Sequence, residues 1–188
     1  MNKLSIPNLK LLRLKHNIGK GFALKHGLNN VKGEYVLFFD SDMEVKAKNI
    51  EQYIGSLKNF DLVIASKRHP DSNYDAPFLR RLLSVAFQTL VTIFVGVRAT
   101  DTQSGLKAGR VGPMRRMFHF LAVKKYAFDV ELLTLARLLD YSFVEMPVNI
   151  KLSSWFSPIE ALRMFIDLLG IAYRLRIIRW YQKNILLH

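Results

Sequence analysis

The segment Glu34-Tyr-Val-Leu-Phe-Phe39 restricts the fold more than any other part of the chain. It is an apolar run of aromatic and β-branched residues, opened by Gly33 and closed by Asp40-Ser41-Asp42. Such strands are buried on both faces, which requires helices on both sides of a sheet. Asp61-Leu-Val-Ile-Ala65 is a second strand of the same type. Helical patterns over residues 20–31 and 47–57 flank these two, and residues 10–15 read as a short strand. Strand and helix alternate, which predicts an α/β layer fold with a mainly parallel sheet.

The second half is richer in helix. A long helix is expected over residues 78–95, followed by a compact irregular stretch over 101–108. Asp129 is placed to cap a helix running to about residue 139, and residues 143–150 read as extended around Pro147. Ser157-Pro158-Ile159-Glu160 is a helix start, with serine as cap, proline at the first position and glutamate closing a capping box. That last helix has two apolar stripes: Leu162, Phe165, Ile166, Leu169 and Tyr173 on one side, and Met164, Leu168, Ile171, Leu175 and Ile178 on the other. One stripe suits the core. The second, followed by Arg174, Arg176, Arg179, Trp180 and Lys183, suits either a membrane interface or a subunit partner in a homo-oligomer.

At 188 residues the chain fits one principal domain, over residues 1–150, with an amphipathic, membrane-associating helix over 151–188. Its net charge of +13 calls for an anionic partner: nucleic acid, an acidic membrane surface or a phosphorylated substrate. There is no cysteine, which excludes disulfide scaffolds, thiol catalysis and cysteine-ligated zinc. The start of the chain lacks a signal-peptide apolar region. Residues 82–97 are the longest uncharged run, but Gln88, Thr89 and Thr92 within it favour a buried or interfacial helix over a spanning one.

Asp40 and Asp42 lie directly after the aromatic strand, and open α/β sheets place ligands beyond the carboxyl ends of their strands. Two carboxylates one residue apart on a turn can aim at one divalent cation, Mg²⁺ or Mn²⁺, which shares such oxygens with substrate phosphates. The alternative is a helix cap or a solvated turn.

Five segments, in order, resemble the family 2 nucleotide-sugar glycosyltransferases, and among them the dolichyl-phosphate mannose and glucose synthases. They are Asn17-Ile-Gly-Lys-Gly-Phe-Ala23, Gly33-Glu-Tyr-Val-Leu-Phe-Phe-Asp-Ser-Asp42, Asp101-Thr-Gln-Ser-Gly-Leu-Lys107, Ala127-Phe-Asp-Val-Glu-Leu-Leu133 and Val144-Glu-Met-Pro-Val148. The fourth segment, and Trp155 ahead of the final helix, lean towards the glucose branch. The resemblance implies a GT-A-like (Rossmann-like) fold, here N-terminally truncated, because the strands that hold the nucleotide in the family precede the matching region. Loss of those strands would leave an open sheet edge.

The implied reaction moves glucose or mannose, with inversion, from a nucleoside diphosphate sugar (UDP-glucose or GDP-mannose) to a polyprenyl phosphate at the cytosolic face of a membrane. The anomeric carbon passes through an oxocarbenium-like state, and an ion held by Asp40 and Asp42 would stabilise the leaving diphosphate. The acceptor phosphate, with a second pKa near ~6, is already ionised and needs cations more than a base. Lys67, Arg68, Arg80, Arg81 and Ser84 are candidates; Arg80 and Ser84, four apart on a helix, share a face. By the resemblance, Asp101 stands where the family has its catalytic base. Gln103, Lys107 and Asp129 are candidates for the sugar or donor phosphates, and Glu131 reads as a first-turn acid. Each of these charges could instead be a solvated surface group or a turn.

Two other readings remain at this point. One is a non-catalytic relative that binds polyprenyl phosphate or an anionic membrane. The other is a nucleic-acid module, which no recognised motif supports. Asn17-Ile-Gly-Lys-Gly lacks P-loop spacing, and the five histidines are not clustered for a metal.

Overall fold

The computed structural model describes residues 8–39, 50–123, 125–151 and 157–187. Asp40, Asp42 and Trp155 lie outside this range. The strands are β1 (Tyr35–Phe38), β2 (Leu62–Ser66), β3 (Asn73–Asp75), β4 (Lys107–Arg110), β5 (Phe143–Pro147) and β6 (Asn149–Lys151). The helices are α1 (Lys20–Leu28), α2 (Ile50–Ser56), α3 (Phe78–Val95), α4 (Val111–Phe120), α5 (Phe128–Leu138), α6 (Pro158–Ala172) and α7 (Trp180–Leu186).

A 4-stranded sheet has the order β1-β4-β2-β5, and β3 pairs with β6 in a separate ribbon. β2 and β5 are parallel, while β4 is antiparallel to both β1 and β2. Strands β1, β2 and β5 therefore point the same way, as expected, and β4 is reversed. That strand falls in the stretch expected to be irregular. Lys107-Ala-Gly-Arg110 lacks the β-branched and aromatic residues that mark a strand, and it is extended because it is paired along both edges. Residues 10–15, expected as a strand, form none. Leu9 and Leu11 point to solvent there and Leu12 and Leu14 are half-buried, but the segment pairs with no strand among the described residues.

β2 alternates between two cores, which explains its continuous apolar sequence. Leu62 and Ile64 face the larger cluster, built with α3, α4, α5 and α6, while Val63 and Ala65 face Tyr53 and Leu57 on the α2 side. The sheet is thus covered on both faces. Helix α4 was not foreseen, because Gly112-Pro113 reads as a break. Both residues sit in its first turn, where proline costs no hydrogen bond, and Met114, Met117 and Phe118 are fully buried behind them.

Ser157 stands at the N-cap of α6 with Pro158 following, but its side chain makes no cap hydrogen bond, so the expected capping box is not formed. Of the two apolar stripes on α6, the one with Met164, Leu168, Ile171 and Leu175 enters the core. Leu162, Ile166, Leu169 and Tyr173 are exposed. A π-helical turn over Tyr173–Ile177 continues α6, and Arg179, with φ 52, turns the chain into α7. Tyr181 at the start of α7 is fully buried and donates its hydroxyl hydrogen to Glu131 Oε1.

Gly109 lies in the middle of the sheet under Met114. A Cβ there would stand 2.5 Å from Met114 Cε and 3.3 Å from the Asp61 carbonyl oxygen, with the methionine enclosed on all sides. Gly109→Ala is expected to destabilise the fold by about 1–3 kcal/mol, read as a lower urea midpoint with unchanged slope.

Candidate active site

The carboxyl ends of β1, β2 and β5 share one edge of the sheet, and the irregular loop of residues 99–106 crosses it. Side chains from β5, α3 and the end of β2 fix this loop. Just past β2, Lys67 Nζ is 2.9 Å from Asp101 Oδ1, and the Lys67 amide donates to Asp101 Oδ2 at 3.2 Å. The Gln103 amide donates to Asp101 Oδ1 at 3.0 Å. Arg68 donates to the Thr100 carbonyl and, at 3.0 Å, to Ser84 Oγ on α3. From β5, Glu145 Oε1 accepts from the Thr100 amide, the Thr100 hydroxyl and the Asp101 amide. From α3, Gln88 donates to the Ala99 carbonyl at 2.7 Å and accepts from the Thr102 amide and hydroxyl.

Asp101 is 3% exposed, and burial on its own would raise its pKa. The Lys67 ammonium and the amides of Gln103 and Lys67 outweigh that and hold it below the ordinary carboxylate range. It is therefore an ionised anchor at neutral pH and a weak base.

The expected cation group does assemble. Besides the Arg68–Ser84 contact, Arg81 donates to the Tyr74 carbonyl at 3.0 Å and stacks 5.5 Å from the Tyr74 ring centre. Lys67 Nζ lies 6.0 Å from the same ring. Tyr74 was missed in the sequence, and its buried hydroxyl has no partner among the described residues. Burial raises its pKa, and the charge of Arg80 lowers it, so Arg80 belongs to this cluster. Lys67 is already paired with Asp101.

Lys107 does not face a cleft. It is 2% exposed, and its ammonium lies 2.7 Å from Asp129 Oδ1 and 2.5 Å from the Ser104 carbonyl. Lys107 was expected to contact the sugar or donor phosphates; its ammonium is instead enclosed and paired with Asp129. Asp129 does not cap α5; Ala127 is the N-cap and no side chain bonds there. Glu131 is in the first turn of α5, as expected, but it is not at the surface. It is fully buried and accepts from the Ala122 and Val123 amides and from Tyr181. Burial raises its pKa, with Tyr181 opposing the shift.

Gln103 joins two cavities. A cleft of about 450 Å³ is lined by Asn17, Lys20, Gln103, Lys125, Tyr126 and Asp129. On its other side a narrower groove of about 180 Å³ runs between α3 and α6, past Ser84 and between Phe87, Leu90, Met164 and Phe165. One cavity is polar and charged, the other apolar. Asp101 lies two residues before their junction.

Residues 2–121 match the family model described as glycosyl transferase family 2. The chain belongs to that family. It is 36% identical, over 76% of its length and 46% of the relative's, to a dolichyl-phosphate beta-glucosyltransferase of Dictyostelium discoideum. It is 29% identical, over 94% of its length and 59% of the relative's, to the protein of that name in Saccharomyces cerevisiae. The chain thus spans about half the length of the curated relatives it matches. Among solved structures, glucosyl-3-phosphoglycerate synthase from Mycobacterium tuberculosis in complex with uridine diphosphate shares the fold. Its TM-score is 0.60 at 19% identity, covering 82% of this chain and 55% of that one. A second structure of that synthase, with Mn²⁺, UDP-glucose and phosphoglyceric acid, has a TM-score of 0.59 over the same shares. These likenesses establish the GT-A-like architecture of this family 2 chain.

Asp101→Asn leaves Lys67 buried without a counter-charge, which is expected to cost on the order of 3 kcal/mol at pH 7. Because the folded carboxyl titrates below its unfolded value, its contribution is complete above that value and drains away as pH falls through the folded one. Urea melts of the two proteins should therefore differ at neutral pH and converge in strong acid.

Proposed function

We propose that this family 2 chain serves transfer of glucose, with inversion, from a nucleoside diphosphate sugar to a polyprenyl phosphate at the cytosolic face of a membrane. The observation that carries this reading is the meeting of a polar cleft and an apolar groove at Gln103, beside Asp101. A sugar nucleotide is polar and anionic throughout. A polyprenyl phosphate has an ionic head and an apolar tail, and Arg68, Arg80, Arg81, Ser84 and Tyr74 stand near the mouth of a groove that could take the two in series. The names of the relatives favour glucose over mannose.

The roles follow from charge. The acceptor phosphate is largely dianionic at neutral pH and can attack without a strong base. Asp101, ionised and paired with Lys67, fits the task of fixing the loop and the cations around the acceptor. Asp129, held by Lys107 at the wall of the cleft, is suited to accept hydrogen bonds from sugar hydroxyls, with Gln103 opposite.

For the divalent ion, no group of three or more His, Asp or Glu side chains suited to a metal occurs among the described residues. β1 leads to the carboxyl edge at Phe39, and Asp40 and Asp42 follow in sequence. Two hard carboxylates one residue apart, following that strand in sequence, suit Mg²⁺ or Mn²⁺. When bound, the ion would neutralise charge on the leaving diphosphate.

The test uses UDP-glucose, Mn²⁺ and a short polyprenyl phosphate. Transfer is expected, and Asp42→Asn or EDTA should lower its rate by about a hundredfold or more. Unchanged transfer in either case overturns the metal assignment. No calorimetric heat with UDP-glucose or GDP-mannose, together with binding of the polyprenyl phosphate, would favour a lipid-phosphate binder instead.

A further inference from the structure

Asp167 is the one charge in the run Met164–Ala172 of α6. Its carboxylate meets the irregular segment that joins α4 to α5. Oδ2 accepts from the Tyr126 amide at 3.2 Å and from the Ala127 amide at 3.3 Å. Ala127 is the N-cap of α5 and has no side chain that could cap it. An acid lent by α6 thus stands at a helix end that favours negative charge. One turn earlier on α6, Arg163 donates to the Tyr126 hydroxyl at 3.3 Å. Tyr126 is therefore tied to α6 at its backbone and at its ring tip.

The other end of the segment is held from α5, where Glu131 accepts from the Ala122 and Val123 amides. The two acids differ in surroundings. Glu131 is enclosed in the packed interior, whereas Asp167 borders open space. Tyr126 lines the polar cleft together with Gln103 and Asp129, and it also lines a second cavity of about 590 Å³ that reaches Asp167 and Gly170 on α6. A ring bordered by two cavities has few packed neighbours to hold it, so its ties to α6 decide where it lies.

We propose that Asp167 is a positioning residue for the sugar donor: by gathering the Tyr126 and Ala127 amides, it holds Tyr126 in the wall of the polar cleft and sets the start of α5, two residues before Asp129. The proposal rests on the transfer reading given above. Tyr126 presents an apolar ring with a polar tip, a surface suited to a sugar edged with hydroxyls. Asp167 lines the second cavity and acts on the polar cleft through the segment. Asp129 has its own anchor in Lys107, so loss of Asp167 falls first on Tyr126. The cations assigned to the acceptor are held through Thr100, Ser84 and Tyr74, on other elements. Donor binding is thus the step that depends on Asp167.

Steady-state transfer by the 188-residue chain, with UDP-glucose, Mn²⁺ and a short polyprenyl phosphate, tests this. Asp167→Ala should raise the UDP-glucose KM by about tenfold or more, with kcat and the acceptor KM changed by less than about threefold. Asp167→Asn keeps an acceptor oxygen for the two amides and should return the donor KM to within about threefold of wild type. In a Tyr126→Ala background, Asp167→Ala should add less than about threefold to the donor KM, because the group it positions is gone. A merely structural role would lower kcat with the folded fraction and leave both KM values alone. An unchanged donor KM in Asp167→Ala or in Tyr126→Ala, equal rises in both KM values, or full additivity of the two substitutions overturns the proposal. Should Asp167→Ala fail to fold, a raised donor KM in Tyr126→Ala with a wild-type value in Asp167→Asn supports it, and an unchanged one in Tyr126→Ala overturns it. A wild-type chain that neither transfers glucose nor binds UDP-glucose ends the transfer reading and the proposal together; wild-type transfer that is indifferent to Asp167 ends the proposal alone.

Discussion

The ion pair between Lys67 and Asp101 joins the end of the central strand to a loop that has no regular structure of its own. Both side chains are almost fully enclosed. Two buried charges are costly to remove from water, and their mutual attraction offsets this only when the remaining lone pairs and protons are also satisfied. Here they are: Asp101 receives two backbone amides besides the ammonium, and Glu145 and Gln88 hold the residues on either side. The loop is thus fixed from β2, β5 and α3 together. Everything proposed for the site depends on that fixation, because Gln103, which divides the two cavities, is positioned by the same carboxylate.

A second buried pair does the same beside the polar cleft. Lys107 lies on the reversed strand β4 and reaches α5 through Asp129. Had β4 been a parallel strand with an apolar residue there, the face of the sheet under α5 would hold no cation, and Asp129 would lose the ion pair that fixes it at the wall of the cleft. The reversal of one strand and the chemistry of one acid are therefore linked.

How much of this was legible depends on the range of each interaction. β1, β2 and α3 follow from short-range pattern: two apolar runs and one long helical segment. Asp101, Arg68 and Ser84 were identified by motif and charge, and they do come together. Glu145 and Gln88 were not, because their partners lie 44 and 45 residues away for the one and 11 and 14 for the other. Gln88 also looked like an interruption in an uncharged helix. Glu131 does lie in the first turn of α5, as read, but its burial was not foreseen, for a related reason. Local rules favour an acid in the first turn of a helix, but nothing local reveals that Tyr181 arrives from the far end of the chain to cover it.

The wide turn at Tyr173–Ile177 acts on that arrival. A π-helical turn holds one more residue than an α-helical one, so it rotates the downstream chain by about 100° about the helix axis. Without the extra residue, the phenol of Tyr181 would swing away from the acid it covers, and the rest of α7 would leave the molecule on another side. A single inserted residue thus works as a rotary gauge, setting the direction in which the terminal segment meets the rest of the protein.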